Sequence, residues 1–166
     1  MAVAKSPQAH ERLVEMFQQH ALERAYLAIA LGRPPQSITY DTFHTRHHGD
    51  RKKFTSRGDR GRRAVTHLET VELLHGSALV RCRLETGRTH QIRVHLAEHG
   101  HPVLGDPLYG KSISDPELRR VSSELGRQAL HAALLTFAHP ITGEAMRFET
   151  EPPEDFLSAL HALRAG

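Results

Sequence analysis

ALVRCRLETGRTHQIRVHLAEHGHP, running from Ala78 to Pro102, changes its hydrophobic period partway along. Leu79, Arg81 and Arg83 alternate with Val80, Cys82 and Leu84, a period of two that predicts a strand with one buried face. Thr86-Gly87 breaks the pattern. Thr89 stands where a cap would, Ile92, Leu96 and His99 follow at helical spacing, and Gly100 and Pro102 mark the stop. The stretch reads as strand, tight turn and short helix. Arg93 follows Thr89 by four residues and His90 by three, so it projects from the first turns toward whatever the glycine turn exposes. A guanidinium placed there orients a carboxylate or a phosphate. The run Gly87 to Gly110 packs cations, imidazoles and glycine turns without the aliphatic density of ordinary core, which marks a site.

Outward from this stretch the chain alternates strands and helices. Ser6-Pro7 supplies a cap and first position for a helix through His20, with Leu13, Met16, Phe17 and His20 on one face. Arg24 to Leu31 predicts a strand closed by Gly32-Arg33-Pro34-Pro35, and Ala64 to Leu74 predicts another. His75-Gly76-Ser77 joins that second strand to the Ala78 strand as a hairpin. Ile113 to Gly126 is polar and has helical character. Leu130 to Phe137 and Ala145 to Phe148 pair across a turn at His139 to Glu144, and Glu154 to Arg164 forms a last helix with Phe156, Leu157, Leu160 and Leu163 inward. Hairpins with packed helices predict an α+β fold, a mixed and mainly antiparallel sheet flanked by helices.

The chain has 166 residues, 39% hydrophobic and 25% charged, which suits one domain. The one cysteine, Cys82, falls on the apolar phase of its strand and reads as a buried thiol, so no disulfide framework is expected. No apolar run reaches membrane-spanning length, and MAVAKSPQAHE lacks the apolar region of a signal peptide, so a cytoplasmic protein without a membrane partner is expected.

Charge is concentrated in one place. Between His44 and Arg63 lie eight cations, Arg46, Arg51, Lys52, Lys53, Arg57, Arg60, Arg62 and Arg63, against Asp50 and Asp59. That segment is +6; because the whole chain is +3, the remainder is −3. Gly49, Gly58 and Gly61 predict a flexible loop, and Phe54 is placed either to stack on a base or to fill a core gap. The asymmetry favours a polyanion, with nucleic acid the leading partner.

Competing chemistries are weaker. His95 and His99 share a helical face at the spacing of zinc ligands, but no HExxH glutamate or CxxC pair supports them, and no metal is expected. No nucleophile elbow surrounds a serine or the cysteine. Gly105 to Gly110 lacks the lysine of a phosphate loop and reads as structural turns. Tyr26, taken alone, belongs to core or sheet surface.

Taken together, these residues closely resemble the RluA-type family of RNA pseudouridine synthases. TGRTHQIRVHLAEHGHPVLGDPLYG, Thr86 to Gly110, resembles that family's signature segment almost unbroken. The helix and tyrosine-bearing strand at Ala4 to Gly32, the strand at Arg63 to Glu72 and the end at Arg127 to Phe156 extend the resemblance over nearly the whole chain. It implies a cofactor-free and metal-free isomerisation of uridine in ribosomal or transfer RNA. The glycosidic bond is cleaved, the base rotates, and a carbon–carbon bond forms through C5. By the same resemblance Tyr26 is the tyrosine near the base and Arg93 the basic residue that pairs with a nucleophilic aspartate. The expected RNA contacts are Arg46, Arg51, Lys52, Lys53, Arg57, Arg60, Arg62, Arg63, Arg88, His90 and Gln91.

The aspartate itself has no match. In the family it stands in an HRLD-type motif, and none of Asp41, Asp50, Asp59, Asp106, Asp115 or Asp155 has that context. Asp106, in the GD of the signature, reads as a turn residue. Met1-Ala2-Val3-Ala4-Lys5 resembles the interior of the family's fold. Residues 1–166 are therefore expected to be the C-terminal portion of a catalytic domain, inactive alone. The alternatives are an RNA-binding truncated relative without catalysis, or a subunit completed by another chain. An open sheet edge is expected around Val3, Leu27 and Ile29, available for self-association or a partner chain.

Overall fold

A computed structural model describes residues 3–19 and 22–165. In chain order the elements are α1 (Pro7–Gln18), β1 (Glu23–Leu31), β2 (Ser37–Arg46), β3 (Phe54–Gly58), β4 (Arg62–Leu74), β5 (Ser77–Leu84), α2 (Gln91–Glu98), α3 (Pro116–Leu125), β6 (Leu130–Ala138), β7 (Ala145–Glu149) and α4 (Glu154–Ala165). The strands form one seven-stranded sheet in the order β3-β2-β4-β5-β1-β6-β7, with every pairing antiparallel. The α+β expectation holds.

The local signals act as expected at several ends. Ser6 Oγ accepts from the Ala9 amide, so α1 begins with a satisfied donor. Asp115 Oδ1 does the same for Leu118 at the start of α3, which ends at Gly126 in the left-handed conformation. Gly76 takes φ +53° and closes the β4–β5 hairpin. Val80 and Cys82 are fully buried in β5 while Arg81 and Arg83 face out, as the alternation requires.

Three expectations are corrected. Segment 44–63 is no flexible loop: it contains the end of β2, all of β3 and the start of β4. Leu157 is 45% exposed, whereas Phe156, Leu160 and Leu163 are buried as expected. The supposed open edge is also misplaced. Ile29 is fully buried because β1 lies between β5 and β6, and the outer strands are β3 and β7. Of that trio Val3 alone is exposed; Leu27 is half-buried. Exposed apolar side chains gather instead on α1 and the β6–β7 hairpin, at Val14, Phe17, Ile141 and Phe148. The helical face expected to end at His20 includes a residue outside those described.

The core runs through Ile29, Leu68, Val80, Leu96, Leu104, Val121, Phe156 and Leu163. It joins the sheet to α2 and to the packed pair α3 and α4. Cys82 lies within it, where burial pushes its thiol up to about 12. This is an inert packing residue.

Candidate active site and nucleic-acid face

The turn into α2 is built differently from the sequence expectation. Thr89 is exposed and does not cap the helix; its carbonyl accepts from His44 Nε2 at 2.8 Å. The cap position belongs to His90, which adopts φ 60° without a side-chain cap bond. Such a conformation is costly for a residue with a β-carbon. Gln91 supplies the compensation from inside the fold. Its Oε1 accepts from Thr86 Oγ1 and the Arg88 amide, while its Nε2 donates to the Val65 carbonyl and Thr66 Oγ1, all at 2.8–3.0 Å. At 2% exposure this amide is used up in joining turn, helix and β4, so Gln91 is withdrawn from the RNA contacts.

Arg93 projects from α2 onto a resident carboxylate. Its Nε and Nη2 donate to Asp106 Oδ2 and Oδ1, each at 2.7 Å, in a bidentate pair. Asp106 Oδ1 also accepts the Leu108 and Tyr109 amides. Burial works to raise the Asp106 carboxyl, but the Arg93 fork and the two amides outweigh it and hold the group below its ordinary range. Arg93 Nη1 makes no hydrogen bond among the described residues. The guanidinium lies 5.1 Å from the centre of the Tyr109 ring. The GD turn thus fixes the signature arginine, a role hidden in sequence by the thirteen-residue separation.

His95 and His99 do not form a ligand pair. Both ring nitrogens of His95 are engaged, Nδ1 with Thr66 Oγ1 and Nε2 with Thr42 Oγ1, and burial drives its pKa down to about 4. His99 Nδ1 lies 2.8 Å from the His95 carbonyl. These imidazoles pack with Tyr40, whose ring is 4.2 Å from that of His99.

Tyr26 sits on β1, opposite Cys82 and Ala132. It lines a groove of about 1060 Å³ between α1 and the β6–β7 hairpin, with Arg24, Leu13, Phe17, Leu134 and Phe148 among the walls. No carboxylate lines that groove among the described residues. Tyr26 and Arg93 are not joined by any hydrogen bond or ring contact. Arg88 stands at the mouth of the neighbouring cleft with Arg24, its Nε donating to the Arg63 carbonyl.

The basic segment forms a fixed platform. Arg63 is paired with Asp41, and Arg57 lies 3.9 Å from Glu98, but Arg46, Arg51, Lys52, Lys53, Arg60 and Arg62 make no ion pair among the described residues. Asp50 Oδ1 accepts the Lys52 amide and shapes the β2–β3 turn. Phe54 stacks on His44 at 5.3 Å, with the Arg46 guanidinium 5.2 Å from its ring centre. The Phe54 amide donates to the Tyr109 hydroxyl, which also lies 3.0 Å from His90 Nδ1. Burial first, then the Arg93 charge, lowers the His90 pKa. Its imidazole is thus biased toward the neutral form.

Glu98, which the sequence reading missed, ties this platform to α2. Its carboxylate accepts from Thr55 Oγ1, Ser56 Oγ and the Ser56 amide. Burial opposes ionisation, yet these donors hold its pKa below the ordinary carboxylate value. The clamp is complete above that ordinary range and is lost as pH falls through the folded value. Glu98→Ala is expected to raise amide exchange at Thr55 to Gly58 by the equivalent of about 2 kcal/mol, leaving α2 protected. Unchanged exchange in β3 would dismiss the clamp.

Comparison with known proteins agrees with this architecture. A family model described as RNA pseudouridylate synthase matches residues 1–98. Ribosomal large subunit pseudouridine synthase D of Zymomonas mobilis is 44% identical over 156 residues, covering 93% of this chain and 49% of the relative. The protein of the same name from Xanthomonas campestris is 43% identical over 169 residues, covering 99% and 51%. Among solved structures, human RNA pseudouridylate synthase domain containing 4 superposes with TM-score 0.78 at 25% identity, covering 96% of this chain and 69% of that one. Human RNA pseudouridylate synthase domain containing 1 gives 0.74 at 28%, covering 91% and 63%. This chain belongs to the RNA pseudouridylate synthase family. It spans about half the length of the curated relatives it matches.

Proposed function

We propose that these 166 residues form the uridine-receiving part of a catalytic domain that isomerises uridine to pseudouridine in ribosomal or transfer RNA. The observation that carries this reading is the groove beside Tyr26, which presents a phenol and a cationic wall to a base but no carboxylate of its own. Tyr26 stacks on the uracil and assists at C5, where a proton leaves as the base gains one at N1. Arg93, through its free Nη1, orients a nucleophilic carboxylate while Asp106 holds the rest of the fork.

That nucleophile comes from residues outside this sequence or from a second chain. Asp41, Asp106 and Asp155 are paired with arginines, Asp50 and Asp115 hold backbone amides, and Asp59 is exposed at the β3–β4 turn. None lines the Tyr26 groove. RNA is held by the unpaired cations of the β2–β4 platform and by Arg88. No metal or cofactor is assigned a part. No helix among the described residues is long and apolar enough to cross a membrane, and a cytoplasmic site of action accords with an RNA substrate.

RNA carrying tritium at uridine C5 tests the assignment, because bond formation through C5 releases that label. The chain alone is expected to retain RNA on a filter and release no tritium. Release would show that it carries its own nucleophile and would overturn this division of roles. Intact mass and N-terminal peptide analysis of the protein in its source cells comes with it. A longer chain with an HRLD-like segment is expected to release the label; failure of such a chain to do so would favour an RNA-binding relative without catalysis.

A further inference from the structure

Arg24 is buried to 8% exposure, yet no carboxylate meets it among the described residues. Its Nε is buried without a hydrogen-bond partner, and its Nη2 reaches only the Glu85 carbonyl at a long 3.4 Å. A buried cation without a counter-ion is unfavourable unless a ligand completes it. The remaining surroundings make room for one. The guanidinium lies over Phe17, 5.9 Å from the ring centre, and against the backbone of Gly87, where any β-carbon would collide with it. Arg88 converges on the same place, and both arginines line a cleft of about 440 Å³ with His10, Leu13 and Phe17. Burial and the Arg88 charge both lower the Arg24 pKa, partly offset by Tyr26. Two guanidiniums therefore share a cleft that no carboxylate lines among the described residues; Glu23 and Glu85 border the adjoining cleft on the far side of the pair.

We propose that Arg24 and Arg88 form an oxyanion seat for a phosphodiester of the RNA strand beside the uridine that faces Tyr26. The proposal rests on the uridine-binding reading given above. Its geometry comes from β1 itself: Arg24 and Tyr26 are two residues apart on one strand, so they point to the same face about 6.6 Å apart. That separation is comparable with the distance between a base and its own phosphate. A phosphate offers acceptor oxygens to both forks at once, and Arg24 Nε has no protein acceptor to compete for its proton among the described residues.

The test uses the 166-residue chain with a uridine-containing single-stranded oligoribonucleotide and, separately, inorganic phosphate. Arg24→Met is expected to weaken oligonucleotide binding about tenfold and to flatten the slope of log affinity against log salt by about 0.7, the value for one phosphate on a single strand. Phosphate should raise the Tm of the unaltered chain and not that of Arg24→Met. If Arg24→Met does not fold, Arg24→Lys serves: it should keep the salt slope and still lose affinity, because the fork is gone. The seat is refuted if Arg24→Met leaves both slope and phosphate protection unchanged. Should Arg51→Ala/Lys52→Ala/Lys53→Ala still flatten the slope in that case, the RNA reading survives alone; should it not, both fail. Loss of stability with an unchanged slope would assign the seat to a protein carboxylate and would also overturn the proposal.

Discussion

Asp106→Ala is expected to lower the unfolding free energy by about 3–5 kcal/mol, because it leaves the Arg93 guanidinium buried without its carboxylate. The same change removes the acceptor for the Leu108 and Tyr109 amides, so the turn that closes the signature segment loosens as well. Urea unfolding at neutral pH measures the loss. The sign of the pH dependence follows from the lowered Asp106 pKa. The pair contributes fully above the unfolded carboxylate range and fades as acid protonates the folded group, so the variant should show a flatter acid limb than the parent. Arg93→Met/Asp106→Leu should recover part of the stability, since an apolar pair leaves no orphaned charge. A loss below about 1 kcal/mol in Asp106→Ala would place the pair among ordinary surface contacts and refute its structural role.

Arg51→Ala/Lys52→Ala/Lys53→Ala is expected to weaken single-stranded RNA binding by about ten- to a hundredfold at low salt. Three lost phosphate contacts should reduce the salt slope by about 2. None of these side chains is ion-paired among the described residues, so folding should be untouched and the whole effect should appear in binding. The loss should be similar across RNA sequences, because phosphates position a strand and carry no base identity. Titration at several salt concentrations decides the matter. An unchanged slope would remove the β2–β3 turn from the RNA face.

Where signals are local, the sequence was readable. Ser6-Pro7, the alternation in Ala78 to Leu84, and Gly76 each act within a few residues of their effect, and the matching elements begin and end close to expectation. β2 and β3 escaped for the opposite reason. β2 buries Tyr40 and His44, and the hydrogen bonds of Thr42 Oγ1 and His44 Nε2 run to distant partners, His95 and the Thr89 carbonyl. β3 is held by Glu98, more than forty residues away. The charged, glycine-containing stretch that follows β2 is indistinguishable from a loop until the fold brings such partners together. The Thr89 cap failed likewise, because a buried glutamine satisfied the turn from within.

The candidate site divides along the same line. Arg88 and Arg93 stand in a segment whose composition marks it, whereas Tyr26 is singled out only by the family resemblance. The Arg93–Asp106 pair and the Glu98 clamp depend on tertiary approach. Arg24 was accessible in principle: its two-residue spacing from Tyr26 on a strand puts both on one face, and a cation on a strand bound for the sheet centre is a signal in itself.

The position of β1 has a mechanical consequence. Moving the Tyr26 backbone requires breaking hydrogen-bonded ladders on two sides, toward β5 and toward β6. The floor beneath a bound base is therefore stiff, with opening free energies near that of the whole domain. Adjustment to the shape of an incoming strand falls to the walls, α1 on one side and the β6–β7 hairpin on the other. A phenol on an unyielding floor meets its substrate already oriented, and the cost of accommodation is carried by elements that do not bear the reacting group.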